Sequence, residues 1–508
     1  MNILSWQFFA LLFVTLTLYY LLPSVCQPWI LLIFSLWFVS TGGASCVFFL
    51  LATAALSFIG ALLIEKKHRD LQSYVKGHPE LSRDGIRRRK KLNERQRLHL
   101  VQVIGAMIAA LIFIGKYVGL YDGGRAIGIS FYGLQALGYV IDVNRGVVEA
   151  QRKPLRHLLY ISFFPLLVEG PIERAGHLMP QLVTPHAFHA DAFFPGFLRL
   201  CYGLFLKLVL ADRLSPIVEA LSGIRNNGAA VFVVMIAYSL QLYADFSGGI
   251  HACLGIASMF GVHPAENFLC PYFAHTFQEY WRRWHISLGS WFRDYVFYPV
   301  SISIPVMKIS AHLKSRKTPA RLASAVVWLF TGLWHGVSLE YVLWGLLNHT
   351  LLMLSSDLEP LARAFRRKHP RSAATWFPVL QAFRTFLIVS MTKLFDVYHG
   401  LPVLAGSFLS FIGRWKVHEI APYLPSYVDA FIIILSLVLA FYVDLIFYRM
   451  GFASKGEDVD ESSLIESWYT ELPIWRRLCY FYFLLFAILL FGQYGIGYTE
   501  QAFIYDRF

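Results

Sequence analysis

Between Ala229 and Phe260 the chain reads AAVFVVMIAYSLQLYADFSGGIHACLGIASMF, an apolar stretch whose titratable side chains, tyrosine and cysteine aside, are Asp245 and His251. Crossing a bilayer takes about 20 predominantly apolar residues in one helix. A helix of this length on a soluble protein would show a polar face, and this one has none. The stretch therefore predicts a membrane span. Working outward, comparable runs occupy Trp6–Leu22, Trp29–Ser40, Ala44–Ile64, Leu98–Leu120 and Phe193–Ala211 before it. Leu322–Leu339, Tyr341–Leu354, Phe377–Leu394, Tyr427–Phe447 and Leu478–Gly492 follow. The expectation is an all-α polytopic membrane protein with about eleven transmembrane helices, the shorter runs being tilted, broken or re-entrant. The first run lacks a basic leader and a small-residue cleavage site, so it reads as a span rather than a removable signal.

Composition agrees: 56% of the 508 residues are hydrophobic and 15% charged, against about 25% charged in soluble domains. The net charge of +13 does not predict nucleic-acid binding, because the basic residues cluster in segments flanking the spans, where they set topology and touch anionic lipid. Glu65 to Leu98 holds twelve Lys or Arg against five Asp or Glu. The positive-inside rule makes 65–98 a basic cytoplasmic loop and places the N-terminus extracytoplasmic. The six cysteines lie in or beside apolar segments without CxxC spacing, which predicts core residues rather than a disulfide framework or metal cluster. No stretch suggests a second folded domain, so 1–508 reads as one membrane-embedded unit.

Polar groups at membrane depth are costly unless paired or used, and they mark the candidate sites. His335 follows Trp334 and lies between Gly332 and Gly336, whose missing side chains leave room for a substrate. Apolar burial favours a neutral imidazole, able to accept a proton as a general base; the alternative is a histidine bonding across helices. From Tyr280 to Tyr295, Trp281, Trp284, Leu288, Trp291 and Tyr295 recur at helical spacing and predict one aromatic helix stripe, with His285 on its edge. Arg282, Arg283 and Ser287 share that segment. Pro165, Gly170 and Pro171 break any helix near Glu169, Glu173 and Arg174, a pattern that suits either a cavity lining or a surface loop. Asp245 requires a partner, for which Arg174, Arg282 or a histidine is available; a structural ion pair and a catalytic role both remain open.

In order along the chain, these strings resemble the membrane-bound O-acyltransferase family, in its bacterial alginate O-acetylation and teichoic acid D-alanylation branch. The strings are Phe163-Phe164-Pro165 with Glu169-Gly170-Pro171-Ile172-Glu173-Arg174, then Gln241 to Gly248, Glu266-Asn267-Phe268, Tyr280 to Tyr295, and Gly332-Leu333-Trp334-His335-Gly336. The resemblance implies helices, some re-entrant or interfacial, around a central tunnel. It implies His335 as catalytic histidine and His285 as its partner. Trp334, Asp245, Glu173, Arg174, Arg282, Arg283 and Ser287 are the implied tunnel or substrate-binding residues.

The implied activity is O-acylation of an extracellular or cell-wall polysaccharide, with acetyl from a cytoplasmic thioester. No bound cofactor is needed beyond that donor, acetyl-CoA or an acyl carrier protein. The implied partners are membrane lipid and an extracytoplasmic acyltransferase or polysaccharide-assembly protein. D-alanyl transfer to teichoic acid is the alternative within the class, and a non-catalytic transporter or scaffold the alternative outside it. The ending Phe503-Ile504-Tyr505-Asp506-Arg507-Phe508 resembles the tail motif of the small companion protein of D-alanylation systems, which implies Tyr505 as an acyl relay; an interfacial aromatic anchor is the other reading. After Gly248 the alginate-type pattern tends to continue Tyr-Ser-Asp, whereas this chain has Gly249-Ile250-His251. Pro299-Val300-Ser301-Ile302-Ser303 stands where that pattern has a glycine-rich turn. Both departures leave the acceptor open.

Overall fold

The computed structural model describes residues 3–118, 126–370, 376–449 and 472–494. Its described residues are helices, turns and one isolated bridge between Phe268 and Trp284. All eleven predicted runs fall on helices. Six helical segments are long and apolar enough to cross a membrane: Ala44–Gly77, Arg83–Val118, Ala190–Ser222, Gly228–Met259, Tyr427–Arg449 and Ile474–Phe491. The other five runs lie on helices that are shorter or more polar. A further apolar helix, Leu401–Gly413, has no counterpart among the predicted runs. The chain is a multi-pass membrane protein.

Contacts divide it into two compact units, residues 1–197 with 253–264, and residues 198–252 with 265–508. In the first, α1 (Trp6–Leu21), α2 (Gln27–Ser40), α3 (Ala44–Gly77), α4 (Arg83–Phe113), α5 (Ile129–Arg145) and α6 (Pro154–Ser162) pack together. Ser5 starts α1 by accepting the Phe8 N–H, satisfying one of the orphan donors of a first turn. The basic segment 65–98 is not a loop. α3 and α4 run on through it and turn only around His78–Ser82. The helix satisfies its backbone internally in water as in lipid, and Arg97 fastens this hairpin to α5 through the Asn144 carbonyl at 2.7 Å. Past α6 the chain makes one short turn, Phe164–Leu167, and then stays non-helical to Arg174, as the prolines predict.

In the second unit α7 (Gly228–Met259, whose residues to Ala252 belong here) carries Asp245. Its partner is Lys207, Nζ to Oδ1 at 2.6 Å, with Asp212 on the same ammonium at 2.9 Å. This replaces the expected Arg174, Arg282 or histidine. The Lys207 signal lay inside the Phe193–Ala211 run and passed as span. Further elements of this unit include α8 (Phe277–Arg283), α9 (Ile286–Phe292), α10 (Thr318–His335), α11 (Leu339–Lys368), α12 (Trp376–Thr392) and α13 (Tyr427–Arg449). The Tyr243 hydroxyl ties α7 to Asp444 of α13 at 2.9 Å.

Candidate active site

α10 and α11 cross backbone to backbone. A Cβ on Gly332 would overlap the Tyr341 carbonyl, and one on Gly345 the Trp328 carbonyl, so only glycine permits the approach. Gly336 faces the Tyr341 ring, which a Cβ there would strike. The space beside Gly332 and Gly336 is thus filled by the neighbouring helix. These glycines serve helix crossing, not substrate access as expected. The crossing places His335, the last residue of α10, with its ring centroid 5.0 Å from Trp344 and 4.9 Å from Trp334.

The aromatic segment is not one helix. α8 ends at Arg283, His285 takes the left-handed conformation at φ 49°, and α9 begins at Ile286. A non-glycine residue rarely adopts that φ unless its surroundings enforce it. Here residues 267–269 do so, for the Leu269 N–H donates to the Arg283 carbonyl at 3.0 Å and the Ile286 N–H to the Asn267 carbonyl at 3.0 Å. The Asn267 side chain completes the brace: its Oδ1 accepts from the Ser287 N–H at 3.0 Å and the Ser287 hydroxyl at 2.9 Å, and lies 3.2 Å from His285 Nδ1. A backbone N–H can only donate, so the amide oxygen must face this cluster, and His285 Nδ1 must carry a proton to join it. A neutral His285 then has its lone pair on Nε2.

His285 and His335 line one cavity of about 130 Å³ with Trp281, Trp284, Trp328, Trp344, Thr331, Lys393 and Asp396. Trp334 packs between the two imidazoles, its ring 5.9 Å from that of His285. The other predicted residues lie elsewhere. Ser287 is taken up by Asn267. Arg282 is exposed, while Arg283 is buried, paired with Glu279 and set over the Tyr448 ring at 5.4 Å. Asp245 belongs to the Lys207 pair. Glu173 and Arg174 are in the first unit, where Glu173 Oε2 meets His177 Nδ1 at 2.8 Å and Arg174 precedes the helix Ala175–Val183. Tyr505 lies outside the described residues. Sequence reasoning did not single out Asn267, Trp344, Lys393 or Asp396. Lys393, a charge at the end of an apolar run, was the one visible signal.

Fold and site together define an all-helical membrane protein in which two histidines share an aromatic-walled cavity. Residues 152–395, which contain both histidines, match the sequence profile of the membrane-bound O-acyltransferase family. Over those residues the chain is similar to that family. It is 31% identical over 341 residues to a probable alginate O-acetylase AlgI of Pseudomonas fluorescens, covering 66% of this chain and 64% of that relative. It is 26% identical over 281 residues to a teichoic acid D-alanyltransferase of Bacillus subtilis, 54% of this chain and 69% of the relative. Against a peptidoglycan O-acetyltransferase of Helicobacter pylori it is 27% identical over 278 residues, 49% of this chain and 50% of the relative. The chain thus matches under two thirds of the alginate-type relative's length.

Proposed function

We propose that the whole chain works as one O-acyltransferase domain, moving an acetyl group from a cytoplasmic thioester to a hydroxyl of an extracellular or cell-wall polysaccharide. The observation that carries this reading is the convergence of His335 and His285 on one cavity. His335, with Nε2 or Nδ1 unprotonated, removes the proton of the attacking hydroxyl. The oxygen bonds to the thioester carbonyl carbon, giving a tetrahedral oxyanion. Collapse breaks the C–S bond, and the thiolate leaves with the proton His335 took. His285, fixed by Asn267, supports that cycle. The indole N–H groups of Trp281 and Trp344 are buried in the cavity wall without an acceptor among the described residues, and are the donors available to the oxyanion.

In this reading the protein sits in the cell membrane with its basic segments cytoplasmic and its N-terminus outside. It takes acetyl-CoA or an acyl carrier protein as donor and needs no bound cofactor. In the two-step form of this reading the attacking hydroxyl is that of Tyr505, which then hands the acyl group to an extracytoplasmic acyltransferase or polysaccharide-assembly partner. The test is purified protein with labelled acetyl-CoA and, separately, a D-alanyl carrier protein, comparing wild type with His335→Ala. Transfer should fall at least about 100-fold in the variant. Undiminished transfer by His335→Ala would remove His335 from the chemistry, and no transfer by the wild type would return the chain to the transporter or scaffold reading. Transfer from the carrier protein alone would make it a D-alanyltransferase. Intact-mass analysis of the C-terminal peptide after turnover tests the relay, and an unmodified peptide in active enzyme removes it.

A further inference from the structure

Lys393 and Asp396 follow α12, C-terminal to both histidines in sequence, and line the same cavity. Lys393 is 5% exposed. Its Nζ donates to the Tyr272 hydroxyl at 2.9 Å, and that hydroxyl spends its own proton on the Ser239 carbonyl at 2.5 Å. The ammonium also stands 4.1 Å from the centroid of the Trp284 ring, a cation–π geometry that fixes it in place. Two of its three N–H groups remain beyond the Tyr272 bond. Asp396 lies three residues on, in the same wall. Among the described residues its carboxylate accepts no hydrogen bond and does not close on Lys393 into an ion pair. The cavity therefore holds an amine kept in place by Tyr272 and Trp284 and, three residues on, a carboxyl, neither fully used by the described residues.

A group that both accepts and donates completes such a gap. A hydroxyl does: its oxygen takes an N–H from Lys393 while its proton goes to Asp396. The charges also select. Lys393 and Asp396 cancel, so a neutral ligand leaves the site balanced in a medium of low dielectric. An ammonium-bearing ligand meets Lys393 as a like charge, and a carboxylate-bearing one meets Asp396. Trp281, Trp328 and Trp344 add apolar faces of the kind that hold a ring while a few polar groups orient it. Resting on the acyltransfer reading, we propose that Lys393 and Asp396 bind a second hydroxyl of the acceptor and restrict it to neutral, polyhydroxylated sugar units.

The experiment measures acetyl transfer from labelled acetyl-CoA by the full-length protein to three β-linked disaccharides, of glucose, glucosamine and glucuronate. Binding of each is followed in parallel by tryptophan fluorescence, so a slow variant still reports. Wild type should show a kcat/KM at least about tenfold higher for the glucose disaccharide. Lys393→Met, which leaves Asp396 uncompensated, should raise the glucosamine-to-glucose ratio about tenfold; Asp396→Asn should do the same for glucuronate. Lys393→Arg should keep the wild-type ratios. A merely structural pair would lower all three substrates together, and unchanged ratios in both variants overturn the proposal while leaving acyltransfer standing. So does a wild type that cleaves the thioester yet neither binds nor acylates a disaccharide. Thioester cleavage no faster in wild type than in His335→Ala is a different result, and defeats the acyltransfer reading itself.

Discussion

Replacing Gly345 by Ala tests whether the crossing of α10 and α11 sets the chemistry. The new Cβ would fall about 1 Å inside ordinary van der Waals separation from the Trp328 carbonyl oxygen. That oxygen belongs to helix backbone and cannot rotate away, so the helices must part by roughly that distance. Overpacking of this kind costs about 1–3 kcal/mol, and the gain in helix propensity from Gly to Ala returns about 1 kcal/mol. The net loss, about 1 kcal/mol, is small beside a stability of about 5–15 kcal/mol. Geometry suffers more. A shift of about 1 Å in a catalytic group costs on the order of 100-fold in rate, and the crossing positions both His335 and Trp344. On the proposed acyltransfer, the expected outcome is a protein that melts within a few degrees of wild type yet releases the thiol of its donor about 100-fold more slowly. Thermal unfolding in detergent and a thiol-release assay measure the two. Gly406→Ala, at a helical glycine with open space around it, is the control: turnover should be unchanged, and the unopposed gain in helix propensity should add about 1 kcal/mol of stability. A Gly345→Ala protein turning over within threefold of wild type would show that the crossing does not position the reacting groups.

Three further outcomes follow from the same geometry. Asn267→Ala removes the acceptor from the buried Ser287 N–H and the anchor from His285 Nδ1, so stability should fall by about 1–3 kcal/mol and turnover by at least tenfold; a variant equal to wild type in both would mean the brace is idle. Lys207→Met leaves Asp212 and Asp245 buried without their shared cation, at a cost of about 3–5 kcal/mol, and adding Asp245→Asn should restore part of the folded yield; no restoration would refute the pairing account. Trp344→Phe keeps a ring against His335 but deletes an N–H that has no acceptor among the described residues. It should lower turnover at least about tenfold with little change in melting temperature, and a normal rate would remove Trp344 from the oxyanion donors.

What the sequence made legible follows from which signals are local. Apolar runs are local, and each of the eleven falls on a helix. The aromatic spacing from Trp281 to Tyr295 is local too, and it misled. Periodicity registers where side chains recur but not that His285 breaks the helix, because the cause is a strand-like segment at 267–269 that pairs with it from elsewhere in the chain. Asn267 was visible inside a motif but had no role until its partner was known. Gly332 and Gly336 looked like clearance around a histidine. What occupies the clearance is Tyr341 on the next helix, and that is a fact of packing. Lys207 and Lys393 show the cost of reading a run by its average: each is a charge within an apolar run, and each turned out to have fixed partners.

The two histidines reach the cavity by different devices, and the difference bears on their roles. His335 is presented at a helix end, held by a glycine-permitted crossing that constrains its backbone; its ring is partly exposed and touches aromatic faces. His285 is buried, its backbone is in a left-handed turn, and its Nδ1 is committed to an amide oxygen. A group that must take a proton and return it within one turnover needs accessible lone pairs and freedom to exchange charge, which suits His335. A group locked in one tautomer by a neutral acceptor offers a constant lone pair at Nε2 and resists protonation, since Asn267, unlike a carboxylate, brings no charge to stabilise the imidazolium. In the proposed reaction that would make His285 the group that holds the hydroxyl proton of an incoming acceptor in line, not the one that removes it. Replacing Asn267 by Asp would supply the missing charge and convert a fixed acceptor into a second base, so that variant should broaden the pH range of turnover where Asn267→Ala only lowers it.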